Sequence, residues 1–496
     1  MMKILNVNQL RECDQFTIKN KPIFSINLME KAASESCQWL LKNANPSDDF
    51  IIFCGNGNNG GDGLALARLL AQNNRKVKVV VNYGKKFSKD AVTNLQRIPE
   101  TVPIIDASDF TRGIIRNSTV IVDAIFGIGL NKNIGQPWEN VITEINNLSN
   151  RVVSLDLPSG LSPDGDKDSS IHVKANDTLS FHFYKKTFFH SETGINCGRI
   201  HVLDVDLSAT YINEVVVSSF VADDAEVKRI YKARPEFSHK GHFGKAVVVG
   251  GSYGKTGAIL LAGRVCARVG AGLTFISAPE CAYSASLMQV PEAMFEFAGA
   301  REIEAINVIE DGEYGIGPGF GRTETARLAL ENFLRGHSRP ILLDADALTL
   351  FSSHFNLLSW VPKDSILTPH PKEFDRLFGA SPNSFARLEL AKEMAKKHQL
   401  NIVLKDHHTQ IVLHTGEVYY NVTGNSGLAK GGSGDVLTGI ITSLLAQKYS
   451  PKEAAIFGVW IHGKAADLAL KGQSKESLLA SDVIESVGKV FNYLSK

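Results

Sequence analysis

The 496-residue chain has few cysteines, almost no net charge and no low-complexity segment. Its six cysteines include no pair three positions apart, which excludes a C-x-x-C redox pair or a zinc knuckle. Lys and Arg number 53 against 52 Asp and Glu, so the chain lacks the basic field that binds nucleic-acid phosphates. With 44% hydrophobic and 21% charged residues, the composition is that of an ordinary globular protein.

Long apolar runs are also missing. The most apolar stretch, residues 258–277, is interrupted by Arg264 and Arg268, so it does not resemble a membrane span. Arg11, Glu12 and Asp14 stand where a secretory signal would need an apolar core. We therefore expect a cytoplasmic protein in a reducing compartment, with small-molecule partners and neither membrane nor nucleic-acid binding.

Short apolar runs alternate with amphipathic segments, such as 64–72 and 138–148, in the first 208 residues. The runs are continuously apolar, as is typical of parallel strands covered by helices on both faces. The predicted strands are 50–54, 76–83, 119–123, 151–156, 177–183 and 199–205. This alternation predicts a doubly wound parallel sheet.

A second α/β series follows a lapse in the pattern at 207–224, where Asp223 or Asp224 is predicted to cap a helix. Its predicted strands are 246–250, 273–277, 340–343, 365–368, 401–405, 409–413 and 418–421. The two halves show no mutual sequence repeat. We expect two unrelated domains, 1–208 and 223–496, joined by a linker at 209–222.

The densest motif of the first half is GNGNNGGDG at 55–63, placed between a predicted strand and a predicted helix. Glycines allow close backbone approach to a ligand, and free N–H groups at a helix start attract anions. The match to G-x-G-x-x-G is weak evidence, because the next predicted strand ends in Asn82-Tyr83-Gly84 without the acidic residue of a dehydrogenase. A glycine turn that binds no ligand is the alternative.

Two further predicted strands end in an acid, Asp123 and Asp156, and each is followed by a glycine-containing loop. Ligands of open α/β sheets bind at the carboxyl ends of strands, so three such loops together predict a site. For either aspartate alone, helix capping is the alternative interpretation.

NNGGDG (58–63), VDAIFGIGL (122–130) and DLPSG (156–160) together resemble the YjeF N-terminal domain, the NAD(P)H-hydrate epimerase, over residues 1–208. The resemblance implies binding of NAD(P)HX, in which water has added at C6 of the nicotinamide ring. It implies that the substrate is held by Asn58, Asn59, Gly60, Gly61, Asp62, Gly127, Ile128, Gly129, Leu130, Asn131, Lys132 and Asn133.

The same resemblance implies roles for the acidic strand ends. Asp156 would contact the hydrated ring as the acid/base residue, which suits a reaction that inverts C6 by proton transfer. Asn59, Asp123 and Ser159 would hold a potassium ion, which prefers mostly neutral oxygen ligands. A second acid/base residue is not assigned, and Lys132 is considered for that role.

Two glycine loops stand out in the second half. GGSYGKTG at 250–257 fails as a Walker A motif, because Val249 stands where that motif needs glycine. The loop at 424–434 opens an apolar helix, so its N–H groups would form an anion hole for a transferring phosphoryl group. Asp435, in the first helical turn, would accept a proton from an attacking hydroxyl. A plain helix-terminal charge is the alternative for Asp435.

This stretch, with HKGHFG at 239–244, GPGFG at 317–321, LDADAL at 343–348 and TPHP at 368–371, resembles the ribokinase-like superfamily. More narrowly, residues 225–496 resemble the YjeF C-terminal domain, the NAD(P)HX dehydratase. The fold class implied is α/β, with a Rossmann-like doubly wound sheet followed by a ribokinase-like α/β/α domain. The activity implied is phosphorylation of the 6-hydroxyl of (S)-NAD(P)HX by ADP, giving AMP, phosphate and NAD(P)H, with Mg²⁺ neutralising phosphate charge.

Site residues carried over by motif fall into two groups. Those expected to contact the hydrated cofactor are Ala258, Gly319, His370 and Asp435, and those expected to contact the adenine nucleotide are Lys405, Asp406, His407, His408, Thr409 and Gly434. The chain departs from the family pattern at Lys372 and Asp406, where the family has glycine. Asp406 would repel nucleotide phosphates unless it points away from them.

We therefore expect a bifunctional repair enzyme that epimerises NAD(P)HX and dehydrates its S form. The resemblance also implies a homo-oligomer. One alternative is a vitamin or sugar kinase of the ribokinase-like class, which would have no need of the three motifs in the first half. Another is a nucleotide-sensing or scaffold module, which would tolerate the loss of Asp156 and Asp435.

Overall fold

The structure, a computed structural model, describes residues 2–21, 23–130, 133–165 and 169–496. The chain divides into two compact units, residues 3–217 and residues 218–496, with Met2 belonging to the second. Residues 209–222, predicted to be a linker, include a short helix and a strand. No helix among the described residues is long and apolar enough to cross a membrane.

The first unit alternates strands and helices. A two-residue strand, β1 (Met2–Lys3), opens the chain. The strands that follow are β2 (Asp49–Cys54), β3 (Val77–Val81), β4 (Ile104–Asp106), β5 (Thr119–Ala124), β6 (Val152–Leu155), β7 (Asp177–Phe181) and β8 (Arg199–Leu203). The helices are α1 (Val7–Asn20), α2 (Ser25–Asn43), α3 (Asn58–Gln72), α4 (Lys89–Gln96), α5 (Trp138–Asn146), α6 (Ser191–Gly194) and α7 (Ala209–Glu214), with 3₁₀ turns at Arg112–Ile114 and Lys186–Phe189.

The sheet of the first unit has the order β4-β3-β2-β5-β6-β7-β8, and all its strands are parallel. This confirms the predicted doubly wound sheet. Its central strands are apolar on both faces because both are covered; Phe50 and Ile52 pack into one buried cluster, and Ile51 and Phe53 into another. Strands β3 and β4 are added on one side of β2, and strands β5 to β8 on the other. Because the order of strand addition reverses between β2 and β5, the loops after these two strands diverge and leave a crevice there.

Helix α3 begins at Asn58, so NNGGDG forms its first turns, and our placement of these residues in a loop was wrong. The glycines are explained by close packing. A Cβ added to Gly60 would lie 1.7 Å from the carbonyl oxygen of Gly55, and one added to Gly55 would lie 1.8 Å from that of Ile125. The helix start therefore presses against the strand ends where no side chain fits.

Replacing Gly60 with alanine is expected to destabilise the first unit by about 3 kcal/mol, at the upper end of overpacking costs, because the new methyl group meets backbone. Gly57→Ala is the matched control, since an added Cβ there meets nothing within 4 Å; it should cost less than about 1 kcal/mol. Urea unfolding of the two variants measures the difference. Equal midpoints would contradict the close approach at Gly60.

The second unit has ten strands of its own. They are β9 (Ser219–Ala222), β10 (Lys245–Val249), β11 (Leu273–Ala278), β12 (Met294–Phe297), β13 (Gly312–Ile316), β14 (Leu342–Leu343), β15 (Ile366–Leu367), β16 (Asn401–Leu404), β17 (Gln410–Val412) and β18 (Val418–Asn421). The helices are α8 (Asp224–Ile230), α9 (Thr256–Val269), α10 (Tyr283–Gln289), α11 (Glu324–Gly336), α12 (Ala345–Ser353), α13 (Pro371–Phe378), α14 (Ser384–His398), α15 (Ser433–Ala446), α16 (Pro451–Ala469) and α17 (Ala480–Leu494). The 3₁₀ turns are Lys240–Phe243, Glu280–Ala282, Phe355–Trp360 and Ser426–Leu428.

The sheet of the second unit runs β12-β11-β10-β13-β14-β15-β16-β17-β18-β9. Its strands are parallel from β12 to β16, while β17 and β18 are added as an antiparallel meander. The order of strand addition again reverses between β10 and β13. The glycine loops after these two strands meet there, since the N–H groups of Gly251 and Ser252 donate to the carbonyl oxygens of Pro318 and Gly319, at 2.9 and 2.8 Å.

Candidate functional site

A cavity of about 590 Å³ lies at the carboxyl ends of the strands of the first unit. It is lined by the loops that follow β2, β5 and β6 and by residues of α1 and α2. The predicted substrate residues that line it are Asn58, Asn59, Asp62, Gly127, Ile128, Gly129, Leu130 and Asp156. Gly60 and Gly61 are buried in α3 instead, and Asn133 is exposed and outside the lining. Asn131 and Lys132 lie outside the described residues.

Asp156 enters this cavity directly after β6, with its backbone in the left-handed region at φ 65°. Its Oδ1 accepts a hydrogen bond of 2.7 Å from Nζ of Lys185, whose side chain is only 1% exposed. Lys185 also donates to the hydroxyl of Ser180 at 2.7 Å. A buried ammonium needs such partners, because burying an unpaired charge costs several kcal/mol. The pair places a carboxylate and an ammonium together at the cavity wall.

Asp123 is fully buried at the end of β5 and is bonded directly to Ser159. Its carboxylate accepts from Oγ of Ser159 at 2.5 Å, from N of Ser159 at 2.9 Å and from Oγ of Ser154 at 2.8 Å. Burial raises the pKa of Asp123, and the hydrogen bonds from Ser159 and Ser154 oppose that rise. The structure thus brings together two of the three predicted potassium ligands.

Asn59, the third, has a side-chain amide that is buried and has no hydrogen-bond partner among the described residues. The amide packs on Gly127, where an added Cβ would lie 3.3 Å from Cγ of Asn59. The adjacent residue, Phe126, is joined to Ser159 through its N–H and its carbonyl oxygen, at 2.8 and 3.1 Å. Leaving a buried amide unsatisfied costs about 1–3 kcal/mol. A cation that is coordinated by Oδ1 of Asn59, together with oxygens of Asp123 and Ser159, would have mostly neutral ligands.

The second unit has a cavity of about 440 Å³ between its two glycine loops. Its lining includes Ala258 and Gly319, both predicted to contact the hydrated cofactor. The remaining lining residues are Gly254, Lys255, Gly257, Ala345 and Asp346. Asp346 is engaged by Nζ of Lys255 at 2.7 Å, so one wall of the cavity carries an ion pair.

Asp435 lies in the first turn of α15, beside a second charged pair. Nζ of Lys405 lies 2.9 Å from Oδ1 of Asp344, and Thr438 donates to Oδ2 of Asp344 at 2.8 Å. A Cβ added to Gly434 would lie 3.6 Å from Nζ of Lys405, so ammonium and helix start are adjacent. Burial and the neighbouring Asp344 raise the pKa of Asp435 to about 7, against the opposing effect of Lys405. A carboxyl with that pKa can take up a proton at neutral pH.

The other predicted nucleotide residues follow Lys405. The carboxylate of Asp406 accepts a local hydrogen bond of 2.7 Å from the backbone N–H of His407. Nδ1 of His408 lies 3.0 Å from the carbonyl oxygen of Asn421, and burial lowers the pKa of His408 to about 4. The carbonyl of Thr409 accepts from N of Asn421 at 3.0 Å. The imidazole of His408 is therefore neutral at pH 7.

His370 serves as a helix cap in this structure. Its Nδ1 accepts from the N–H groups of Lys372 and Glu373, at 3.2 and 3.3 Å, and Glu373 accepts from N of His370 at 2.9 Å. His370 does not line the cavity that Ala258 and Gly319 share. Lys372 lies within α13, where the backbone is helical and the glycine of the family pattern is not needed.

Two family descriptions match the chain. "YjeF-related protein N-terminus" matches residues 25–187, and "NAD(P)H-hydrate dehydratase" matches residues 246–489. The chain is also 34% identical to the bifunctional NAD(P)H-hydrate repair enzyme of Coxiella burnetii, over 99% of this chain and 100% of that relative. The chain belongs to the family of bifunctional NAD(P)H-hydrate repair enzymes.

Two solved structures are similar to the second unit. An ADP/ATP-dependent NAD(P)H-hydrate dehydratase of Bacillus subtilis, co-crystallised with ATP and Mg²⁺, is 32% identical, covering 55% of this chain and 98% of its own, with a TM-score of 0.49. A ribokinase-like protein of Enterococcus faecalis is 28% identical, covering 56% of this chain and 98% of its own, with a TM-score of 0.50. The second likeness confirms the ribokinase-like fold.

Three residues that contact or neighbour the candidate site residues were missed from the sequence. Lys185 was passed over because nothing in the run FHFYKK distinguishes a buried lysine from an exposed one. Asp344 belongs to the LDADAL motif, which was noted without a role for its first aspartate. Thr438 lies one helical turn after Asp435, and that spacing was the available signal for its proximity.

Proposed function

We propose that the domain predicted at residues 1–208 epimerises NAD(P)HX and that the domain predicted at residues 223–496 dehydrates its S epimer at the expense of ADP. The observation that carries this proposal is Asp435, a carboxyl with a pKa of about 7 at a glycine-lined helix start, next to the ammonium of Lys405. A general base beside an anion hole suits phosphoryl transfer to a hydroxyl.

In the dehydratase, Asp435 accepts the proton of the 6-hydroxyl as that oxygen attacks the β-phosphorus of ADP. The developing charge is stabilised by the N–H groups at the start of α15 and by Lys405, whose pKa Asp344 holds above its usual value despite burial. AMP leaves. The lone pair of the ring nitrogen then expels phosphate from C6, and loss of the C5 proton gives NAD(P)H. Ala258, Gly319 and His370 are proposed to contact the hydrated cofactor, and Asp406 to Thr409 the nucleotide.

Magnesium is proposed to arrive with the nucleotide. Among the described residues, no group of three or more His, Cys, Asp or Glu side chains is arranged to hold a metal ion. Mg²⁺ in nucleotide-dependent enzymes is commonly bound mainly through substrate phosphates, with one or two carboxylates. It would neutralise phosphate charge and so favour attack by the hydroxyl.

In the epimerase, Asp156 is proposed to be the acid/base residue at the hydrated ring, and Asn58 to Asp62 with Gly127 to Asn133 to hold the substrate. Asn59, Asp123 and Ser159 would hold K⁺; the unpartnered amide of Asn59 supports this assignment. A potassium ion there would satisfy that amide and offset the charge of Asp123. The vitamin or sugar kinase is not favoured, because the whole chain matches repair enzymes.

The decisive experiment supplies purified protein with a mixture of (R)- and (S)-NADHX, Mg²⁺ and ADP, and follows the absorbance of NADH. Full recovery of NADH requires both activities, whereas recovery that stops when the S epimer is consumed would refute the epimerase. No recovery, with ATP failing as well, would refute the dehydratase.

ATP in place of ADP tests the phosphoryl donor. Light scattering after size-exclusion chromatography tests the proposed homo-oligomer.

The rate of dehydration should depend on pH through Asp435. Its pKa is raised to about 7, so below that pH the base is protonated, and kcat/KM for NADHX should fall about tenfold per pH unit. Above pH 7 the rate should level off. Asp435→Glu, which alters the surroundings of the carboxyl, should displace this limb, while Lys372→Gln should not. A flat profile between about pH 5.5 and 8 would contradict the role of Asp435 as the base.

A further inference from the structure

Helix α1 carries an aspartate on the largely buried side that faces the cavity of the first unit. Leu10, Cys13 and Thr17 are buried on this side, and Leu10 and Ile18 also line the cavity of the first unit. Asp14 lies between them, four residues after Leu10 and four before Ile18, and lines the same cavity. Residues four apart share a helix face, so the carboxyl of Asp14 faces the space that Asp156 also enters.

Asp14 has no structural partner to explain its position. Within the described part of the chain, no hydrogen bond or ion pair joins its carboxyl to another residue, although the residue is more than half shielded from solvent. Burial and the charge of Asp156 raise the pKa of Asp14 to about 7, and Lys185 opposes that rise. A poorly solvated, unpaired carboxyl costs stability and is a mark of functional sites.

The other charged groups that face this cavity limit the choice of a second acid/base residue. They are Arg11, Asp62, Lys85, Asp90, Asp156 and Lys185. Burial and the charges of Asp156, Asp14 and Asp90 raise the pKa of Asp62 well above its usual value. Asp90 lies in the first turn of α4, where the helix dipole stabilises its charge. Asp14 lies on α1, outside the glycine motif that holds Asp62 and the helix start that holds Asp90, and it lines the cavity together with Asp156.

We propose that Asp14 is the second acid/base residue of the epimerase and acts with Asp156 on the two sides of C6. The proposal rests on the epimerase function proposed above. It assigns a catalytic role to a residue outside the three motifs by which this domain was identified.

The reaction can then be written with all atoms accounted for. For one epimer, protonated Asp14 gives its proton to the C6 hydroxyl, the C6–O bond breaks, and water leaves as the lone pair of N1 forms the N1=C6 iminium. A solvent water then attacks C6 from the opposite side, and its proton passes to the carboxylate of Asp156. For the other epimer, the two carboxyl groups exchange roles. Lys185, bonded to Asp156, holds that carboxylate toward the ring.

The test measures formation of (S)-NADHX from purified (R)-NADHX without nucleotide, so that dehydration does not intervene. Asp14→Asn should lower kcat about a hundredfold or more, with KM changed little, because general acid/base catalysis is lost. Glu12→Gln is the matched control: it converts a carboxyl to an amide on the same helix, but Glu12 is exposed and contacts Tyr211 outside the cavity lining. Its rate should equal that of the wild type.

The pH profile separates catalysis from a structural role. The Asp14–Asp156 pair must hold one proton, so the wild-type rate should fall as pH rises through about 7, and Asp14→Asn should lack this limb. Asp14→Glu should restore part of the rate. In H₂¹⁸O, each inversion should place one labelled oxygen on C6. Urea unfolding of the first unit, compared with that of the wild type, verifies that each variant is folded.

Distinct results would overturn this proposal and the proposed function. If Asp14→Asn epimerises within about threefold of the wild type, or if inversion retains the original oxygen, Asp14 does not act as written. If the wild-type protein forms no (S)-NADHX, the epimerase function itself fails.

Discussion

Replacing Asp435 with asparagine is expected to lower the rate of NADHX dehydration about 10²- to 10⁴-fold and to leave epimerisation unchanged. The amide keeps the size of the side chain but cannot accept the proton of the 6-hydroxyl. The anion hole survives, because the N–H groups of α15 and the Lys405–Asp344 pair do not depend on Asp435. ADP affinity should therefore change little, and the loss should appear in kcat.

A matched control distinguishes a base from a simple helix-terminal charge. Asp482 lies in the first turn of α17, as Asp435 does in α15, and its carboxylate accepts from N of Leu479 at 2.9 Å. Asp482→Asn should reduce stability slightly without reducing the rate of dehydration. If the two variants lose activity to the same small extent, Asp435 serves only the helix and the proposed mechanism is wrong.

Replacing Asp156 with asparagine should have the reverse effect, abolishing epimerisation by about 10²- to 10⁴-fold while (S)-NADHX is still dehydrated. With a mixture of epimers, ADP and Mg²⁺, recovery of NADH should stop once the S form is consumed. The variant also leaves the ammonium of Lys185 buried without its carboxylate, which should cost about 3–5 kcal/mol in the first unit.

The double variant Asp156→Asn/Lys185→Met separates these two effects. It removes the stranded ammonium, so the first unit should regain much of its resistance to urea while remaining inactive as an epimerase. Restored epimerisation in the double variant would show that the single variant failed by misfolding and that Asp156 is not the acid/base residue.

The sequence predicted the central sheet better than its edges. Strands such as Asp49–Cys54 and Thr119–Ala124 were recognised because both faces are buried, which makes them continuously apolar. The edge strands Ile104–Asp106 and Met294–Phe297 were missed because they are partly exposed. Gly312–Ile316 was missed although it is largely buried, since two of its five residues are glycines that carry no β-propensity.

The candidate sites were predictable where motifs follow strands and less so where burial decides a role. Asp123, Asp156 and Asp435 were found because each stands at the end of a strand or the start of a helix beside glycine. Lys185 and Asp14 were not, since a lysine or aspartate in these runs reads as surface until the fold shows what surrounds it. The start of α3 was misplaced because glycines selected by close packing look like a loop.

The carboxylate of Asp344 is shared between Lys405 and Thr438, which come from the end of β16 and from α15. The ammonium of Lys405, which is proposed to contact the nucleotide, is therefore paired with a carboxylate that is itself held by Thr438. Preorganisation of this kind means that little of the free energy of nucleotide binding is consumed in arranging the protein, which leaves more for stabilising the transferring phosphoryl group. The substitution Asp344→Ala removes this carboxylate. The ammonium of Lys405 would then be free to pair with Asp435, and that pairing would hinder Asp435 from accepting a proton.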